Sequence, residues 1–124
     1  SFSDTASRQA FNVARETSAT NLRPATSAGR ETTLRLVREL MVPRPLRSVK
    51  RIGTILHEID ALQLPEWYGP VRLPSQSVLR YAHDHGVQVH VWTVNEPERM
   101  KILLNHGVDG IITDRIDIAR SVLV

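Results

Sequence analysis

The chain has 124 residues, a length that suits one domain with a sizeable core better than two. Hydrophobic residues make up 41% of it and charged residues 23%. No apolar run approaches the roughly 20 residues of a membrane-spanning helix, so we expect no transmembrane segment. There is no cysteine, which excludes disulfides, thiolate metal sites and a cysteine nucleophile.

The basic residues are concentrated in the first half of the chain. The formal net charge is +3, and most of the arginines and lysines lie within residues 1–51. Such a bias can attract nucleic acid, but these residues are spaced at helical intervals among alanines and leucines. We therefore interpret them as solvated helix faces and expect no nucleic acid as a partner.

Three helices are predicted in the first half, over residues 3–16, 30–41 and 48–59. The prolines of "VPRPLRS" separate the second from the third, and "NLRPATSAG" before the second is rich in turn formers, with room for a short strand. Two of the helices have candidate caps: Ser3 or Asp4 for the first, and Ser48 for the third. Each helix has a predicted apolar face: Ala6, Ala10, Val13 and Ala14 on the first helix, Leu34, Val37 and Met41 on the second, and Val49, Ile52, Leu56 and Ile59 on the third.

The second half alternates short apolar strands with helices. The strands are predicted over residues 60–65, 87–94 and 108–113, with a loop over 66–73. The helices are predicted over the following ranges: 75–86, 96–107 and 114–124. This alternation is typical of βαβ units in a parallel sheet that helices cover on both faces.

A repeated tripeptide supports this organisation. "HGV" occurs at residues 85–87 and again at 106–108, each time between a predicted helix and a predicted strand. Glycine can adopt the left-handed conformation that ends a helix, and valine favours a strand. The short interval between the two copies is compatible with a compact (β/α) barrel.

Polar residues follow two of the predicted strands. Thr93 and Asn95 follow one strand, and Thr113 and Asp114 follow the next. In parallel α/β folds the carboxyl ends of the strands face the ligand crevice, so we expect any binding site to lie at this rim. Asn95 is predicted to hydrogen bond its own backbone, and Asp114 to cap the last helix.

The stretch "VHVWTVNEPERMKILLNHGVDGIITDRIDIAR" resembles the C-terminal end of the glycerophosphodiester phosphodiesterase family. The "WTVN" run and its spacing to "GVDGIITD" carry the resemblance most specifically. "SFSD" at the start is similar to a strand-end "SF" of the family, and "DALQLPEWYG" with "VRLPSQSVLRYAHDHGV" fits the stretch between them. One departure is that Arg115 and Ile116 follow the "TD", where the family usually has proline.

The resemblance implies an α/β fold in which residues 1–124 form the C-terminal half of a TIM (β/α)8 barrel, with parallel strands alternating with helices. It implies an enzyme of lipid metabolism, a phosphoric diester hydrolase that cleaves glycerophosphodiesters to glycerol 3-phosphate and an alcohol. The family's histidine pair and the carboxylates that bind a divalent metal, Mg²⁺ or Ca²⁺, belong to the other half of the barrel. We therefore expect neither catalytic residues nor metal ligands in this chain, and we expect the isolated chain to be inactive.

Trp92 is the first candidate for substrate binding. If Val89 and Val91 face the helices, then His90 and Trp92 face the barrel axis, with Trp92 nearer the rim. The resemblance implies that Trp92 packs on the apolar part of the substrate, which we favour over the alternative of a core residue.

Three further residues are candidates for substrate binding. Phe2 has the same two interpretations as Trp92, and Ser1 precedes it at the same expected strand end. Trp67 lies in the loop after "LQLP", where it either lines the substrate cleft or packs within the loop.

A half-barrel would have two exposed sheet edges, which favour association. We therefore expect the missing N-terminal half or a second copy of the chain as a partner, beside a small glycerophosphodiester substrate. An alternative function is that of a non-catalytic binding or interaction module derived from the barrel.

Overall fold

The structure, a computed structural model, describes residues 3–17, 24–46 and 48–124. The chain divides into two compact units, Ser1–Leu62 and Gln63–Val124, called here the first and second units. The described residues of the first unit form three helices and a short 3-10 helix, in chain order α1 (Asp4–Thr17), α2 (Arg30–Met41), Arg44–Leu46 and α3 (Val49–His57). Strand β1 (Ala61–Pro65) begins in the first unit and ends in the second.

The second unit contains the remaining elements. They are, in chain order, β2 (Trp67–Tyr68), β3 (Val71–Arg72), α4 (Gln76–Asp84), β4 (Gln88–Trp92), α5 (Pro97–Asn105), β5 (Gly110–Ile111) and α6 (Ile116–Leu123). The predicted alternation of strands and helices is therefore confirmed, and the fold class is α/β. None of the described helices is long and apolar enough to cross a membrane. The organisation of residues 1–124 as one partial barrel remains a prediction.

Helices α2 and α3 form the core of the first unit, but with faces that differ from those predicted. α2 buries Leu36, Val37 and Leu40, whereas Met41 is 53% exposed. In α3 the buried side chains are Ile52, Ile55 and Leu56, and Val49 is 59% exposed. Two overlapping apolar stripes run along each helix, and sequence periodicity alone does not decide which of them meets the neighbouring helix.

Helix α1 forms where the sequence predicts it, yet none of its residues is buried. Its predicted apolar face consists mainly of alanines, whose small side chains remove little area from water. Val13, the largest residue of that face, is 58% exposed. Ser3 is the N-terminal cap of α1, because its Oγ accepts a hydrogen bond from the backbone N–H of Ala6 at 3.3 Å.

In the turn-rich segment before α2, the described residues 24–29 form one strand-like contact in the place of the predicted short strand. Ser27 forms an isolated parallel bridge with Ala61. The backbone N–H of Ala28 donates to the carbonyl of Ala61 at 2.9 Å, and the N–H of Thr26 donates to Oδ2 of Asp60 at 2.7 Å. These contacts join the start of β1 to residues 26–28 within the first unit.

The second unit has a sheet with the strand order β1–β4–β5, in which β4 and β5 are parallel. The alternation in "VQVHV" places its valines on the buried face of the strand. Val87, Val89 and Val91 are each at most 2% exposed. Both "HGV" turns also form as predicted. Gly86 and Gly107 have φ values of 70° and 94°, the left-handed region that favours glycine at a helix end.

Two local predictions for the second unit are wrong. Residues 66–73 contain an antiparallel hairpin, β2 paired with β3, and not an irregular loop. Its turn includes Gly69 at a φ of 57°, and the strand residues are β-favouring Trp, Tyr and Val. The N-cap position of α6 is occupied by Arg115, not Asp114, and the side chain of Arg115 makes no capping hydrogen bond.

Candidate substrate-binding rim

The carboxyl ends of β4 and β5 lie side by side in the second unit. His90 pairs with Gly110 and Val91 with Ile111, and the N–H of Ile112 donates to the carbonyl of Val91 at 2.9 Å. The pairing extends past the strands, where the N–H of Val94 donates to the carbonyl of Ile112 at 3.0 Å. The polar residues that follow the two strands are therefore brought together, as the sequence predicts.

Asn95 connects the two loops that leave these strands. Its Oδ1 accepts hydrogen bonds from Oγ1 of Thr113 at 2.9 Å and from the backbone N–H of Asp114 at 3.0 Å. Oγ1 of Thr113 in turn accepts from the N–H of Arg115 at 2.9 Å. The prediction that Asn95 bonds its own backbone is thus wrong. Its partners lie on the neighbouring loop, because the parallel pairing places that loop within reach.

Arg115, which stands where the family usually has proline, pairs with Asp117. Its Nε and Nη2 donate to the two carboxylate oxygens of Asp117 at 3.1 and 2.8 Å. The hydrogen bond from Arg115 lowers the pKa of Asp117 to about 2. Both side chains are more than half exposed, so this pair organises the surface of the loop and adds little to stability.

The structure places the predicted substrate-binding residues as follows. Trp92 is the last residue of β4 and is half-buried, and its carbonyl accepts from the N–H of Glu66 at 3.0 Å. Trp67 begins β2 and is 51% exposed. Ser1 and Phe2 lie outside the described residues. Trp92 therefore adjoins the base of the hairpin that carries Trp67.

The side chain of Glu66 contacts two arginines at the base of this hairpin. Its Oε1 accepts a hydrogen bond from Nε of Arg99 on α5 at 2.6 Å, and both side chains are largely shielded from water. Nη2 of Arg72 lies 3.7 Å from the same oxygen. The guanidinium carbon of Arg72 lies 4.6 Å from the centroid of the Trp67 ring. No local sequence pattern predicts the Glu66–Arg99 pair, because 33 residues separate its members.

At the other end of the parallel strands, Asp109 joins three segments. Its Oδ2 accepts from the N–H of Val89 at 2.7 Å and contacts Nε2 of His83 at 2.8 Å. Partial burial of Asp109 opposes ionisation, but the hydrogen bonds from Val89 and His83 and the nearby charges of His83 and His90 outweigh it. The pKa of Asp109 is consequently below its ordinary value. A Cβ on Gly110 would lie 2.8 Å from the ring of half-buried His90, so a glycine is needed there.

In the first unit, Asp4 caps α2 although it lies at the start of α1. Its carboxylate accepts from the backbone N–H groups of Gly29, Glu31 and Thr32 at 3.1, 2.9 and 3.2 Å, and from Oγ1 of Thr32 at 2.7 Å. Burial opposes ionisation of Asp4, but these four hydrogen bonds outweigh it, so the pKa of Asp4 is lowered. A cavity of about 370 Å³ adjoins this cap and is lined by Arg8, Asn12, Thr26 and Glu58, among others.

The described residues do not fit a metal centre. Within residues 3–17, 24–46 and 48–124, no three His, Asp or Glu side chains converge in a group that could hold a metal ion. A divalent cation needs several oxygen ligands around one point.

Comparison with known proteins identifies the class to which this rim belongs. The sequence profile of the glycerophosphoryl diester phosphodiesterase family matches residues 11–118. The chain therefore belongs to that family, and the resemblance seen in the "WTVN" and "GVDGIITD" stretches is confirmed.

Two individual proteins are similar to this chain. The chain is 44% identical over 84 residues to "Probable glycerophosphodiester phosphodiesterase 2" of Mycobacterium tuberculosis (strain ATCC 25618 / H37Rv), covering 68% of this chain and 32% of that protein. A crystal structure named "Putative glycerophosphoryl diester phosphodiesterase", from Silicibacter pomeroyi DSS-3, is 27% identical, with a TM-score of 0.48, covering 65% of this chain and 26% of that one. The chain thus spans about a third of the relative and a quarter of the solved structure.

Proposed function

We propose that these 124 residues supply the later strands and part of the substrate rim of a glycerophosphodiester phosphodiesterase domain. The complete domain hydrolyses glycerophosphodiesters to glycerol 3-phosphate and an alcohol. The observation that carries the proposal is the "WTVN" end of β4, which adjoins the β5 loop and the hairpin base in a chain of this family. Strand ends of this kind face the ligand in parallel α/β enzymes.

The reaction defines what this chain can and cannot contribute. A water molecule loses a proton to a base as its oxygen forms a bond to phosphorus, the bond from phosphorus to the alcohol oxygen breaks, and the departing alkoxide takes up a proton from an acid. The negative phosphate needs charge neutralisation, which a divalent metal such as Mg²⁺ or Ca²⁺ would supply when bound. We assign that metal and the acid and base to parts of the domain other than the described residues.

The role assigned to the described residues is to shape the rim. In the proposal, Trp92 packs on the apolar part of the substrate, and Trp67 belongs to the same wall. Asn95 holds the β4 and β5 loops in register through its bonds to Thr113 and Asp114. A fixed rim positions the bound diester, which is how residues without an acid or base group accelerate a reaction.

The assembly of the complete domain is part of the proposal. Large apolar side chains on the second unit are exposed, among them Ile102, Ile112, Ile116 and Leu123 at 43%, 41%, 76% and 69%. Exposed apolar side chains and strand edges favour association. We therefore expect these residues to be covered by the rest of a barrel or by a second copy of the chain. Sedimentation velocity of the 124-residue chain should show association, and a stable monomer at micromolar concentration would contradict it.

The function is tested by incubating the complete gene product with glycerophosphocholine and Mg²⁺ or Ca²⁺ and measuring released glycerol 3-phosphate. We expect turnover that a chelator abolishes. Binding of the diester without turnover would instead support a non-catalytic binding module.

The inactivity of the isolated chain needs a separate assay. Residues 1–124 alone should release no glycerol 3-phosphate above the background rate. Metal-dependent turnover by this chain would overturn that part of the proposal.

A further inference from the structure

The hairpin of β2 and β3 is anchored at the rim by Glu66, the residue that precedes β2. The N–H of Glu66 donates to the carbonyl of Trp92 at 3.0 Å, and the carbonyl of Glu66 accepts from the N–H of Leu73 at 2.8 Å. Trp67 pairs with Arg72 across the hairpin. The side chains of this strand pair are therefore held next to the end of β4, where the proposed function places the substrate.

Positive charge is in excess at this point of the rim, where two arginines lie near the single carboxylate of Glu66. Oε1 of Glu66 bonds to Nε of Arg99 at 2.6 Å, and the exposed fractions of the two side chains are 19% and 12%. Arg72 lies 3.7 Å from the same oxygen, beyond hydrogen-bond distance, and its side chain is 54% exposed. Arg99 therefore neutralises Glu66, and the charge of Arg72 faces solvent with only weak compensation among the described residues.

The contact with Trp67 orients Arg72 without using its donors. The guanidinium lies over the indole at 4.6 Å, a distance at which a cation is attracted to the ring. The N–H donors of a guanidinium lie in its plane and point outward, so a group stacked on its face leaves them available for a carboxylate or phosphate. Stacking also restricts the long side chain before a ligand arrives, which lowers the entropic cost of binding.

From these contacts we infer that Arg72 binds an oxyanion of the glycerophosphodiester substrate, with Trp67 holding the guanidinium in position. The inference rests on the proposed function. The oxyanion comes either from the phosphodiester, which all substrates of this class share, or from an acidic group on the alcohol moiety. Glycerophosphoserine and glycerophosphoethanolamine distinguish the two sources, because they differ by one carboxylate on the alcohol.

The test compares Arg72→Gln with Arg80→Gln in the complete gene product. Arg80 is a matched control, since it is an exposed arginine of the same unit whose guanidinium carbon lies 5.7 Å from the Tyr81 ring. We expect Arg72→Gln to lower kcat/KM on the order of tenfold, mainly through KM, because a charge-assisted hydrogen bond is lost. Arg80→Gln should leave kcat/KM unchanged.

The substrate pair and a conservative variant complete the test. A larger loss with glycerophosphoserine assigns the oxyanion to the carboxylate, and an equal loss with both substrates assigns it to the phosphodiester; either result supports the inference. Arg72→Lys should recover part of the loss, since it keeps the charge but not the planar fork. An Arg72→Gln protein within twofold of wild type on both substrates overturns the inference while the proposed function stands. If the wild-type protein turns over neither, the proposed function fails and the inference falls with it.

Discussion

Polar side chains connect distant segments in both units, but they do so in different places. In the second unit Asn95 joins two strand-end loops, Glu66 joins the hairpin to α5, and Asp109 joins β5 to β4 and α4. In the first unit, Asp4 makes the described side-chain hydrogen bonds between α1 and α2. α1 also buries none of its residues.

This difference predicts that α1 is less stable than the strands of the second unit. A helix without buried side chains depends on its few polar contacts, and such elements open at low free energy. The second unit has several polar contacts in addition to buried strands, and they lie at both ends of those strands. We therefore expect α1 to open before the rim does, and hydrogen exchange to be faster in α1 than in β4.

The largest effect is expected for Glu66→Ala in the second unit. It removes the partner of Arg99, whose side chain is only 12% exposed, so a shielded charge is left unpaired. We expect a loss of about 2 kcal/mol in the free energy of unfolding, measured by urea denaturation. Glu98→Ala, which breaks the exposed pair with Lys101, is the matched control and should change stability by less than about 0.5 kcal/mol. Equal effects of the two variants would contradict the importance of the Glu66–Arg99 pair.

The corresponding change in the first unit is Asp4→Ala. It removes the acceptor of three backbone N–H groups at the start of α2, which costs about 1 to 2 kcal/mol for a cap of this kind. Hydrogen exchange should become faster in α1 and the first turn of α2 and remain unchanged in β4. Glu16→Ala, at the other end of α1, serves as the control. Uniformly faster hydrogen exchange in both units would contradict the expectation that α1 opens independently of β4.

A smaller effect is expected for Asn95→Ala at the rim. It removes two hydrogen bonds to the β5 loop and should cost about 1 kcal/mol. Asn95→Asp keeps an oxygen acceptor at the same position, so it should restore most of the stability. If Asn95→Asp is as unstable as Asn95→Ala, the acceptor role assigned to this oxygen is wrong.

The smallest effect is a pH dependence that both units share. The pKa values of Asp4 and Asp109 lie below their ordinary value of 3.8, because hydrogen bonds to the carboxylates outweigh burial. The unfolded chain therefore binds these protons first as the pH falls, and stability decreases below about pH 5 until the folded-state pKa is passed. Thermal unfolding of Asp4→Asn and Asp109→Asn should show a weaker decline in Tm over that range than wild type. If Tm declines with falling pH in both variants as steeply as in wild type, the two carboxylates are not the source of this pH dependence.

Local patterns in the sequence predict the elements well and their connections poorly. The helices, the two "HGV" turns and the buried alternation at Val87, Val89 and Val91 are confirmed, because each depends on neighbours within a few residues. The side-chain hydrogen-bond partners of Asp4, Asn95 and Glu66 are not predicted by the sequence. They lie between 18 and 33 residues away, and they meet only through strand register and helix packing, which no local pattern encodes.

The same reasoning applies to the candidate site. The adjacent ends of β4 and β5 and the position of Trp92 at the end of its strand could be predicted, because strand ends and the "WTVN" stretch are visible in the sequence. The hairpin, with Arg72 stacked on Trp67, could not, because its short strands resemble a loop and its charge balance depends on Arg99 from a later helix.

The most direct test of the account is the kinetics of Trp92 variants in the complete gene product, assayed as release of glycerol 3-phosphate. If Trp92 packs on the substrate, Trp92→Ala should lower kcat/KM on the order of tenfold or more, and Trp92→Phe should recover much of the loss because it keeps an aromatic ring. Both variants should unfold cooperatively, which separates a role at the rim from one in the core. A folded Trp92→Ala protein with wild-type kcat/KM would contradict the placement of substrate at this rim.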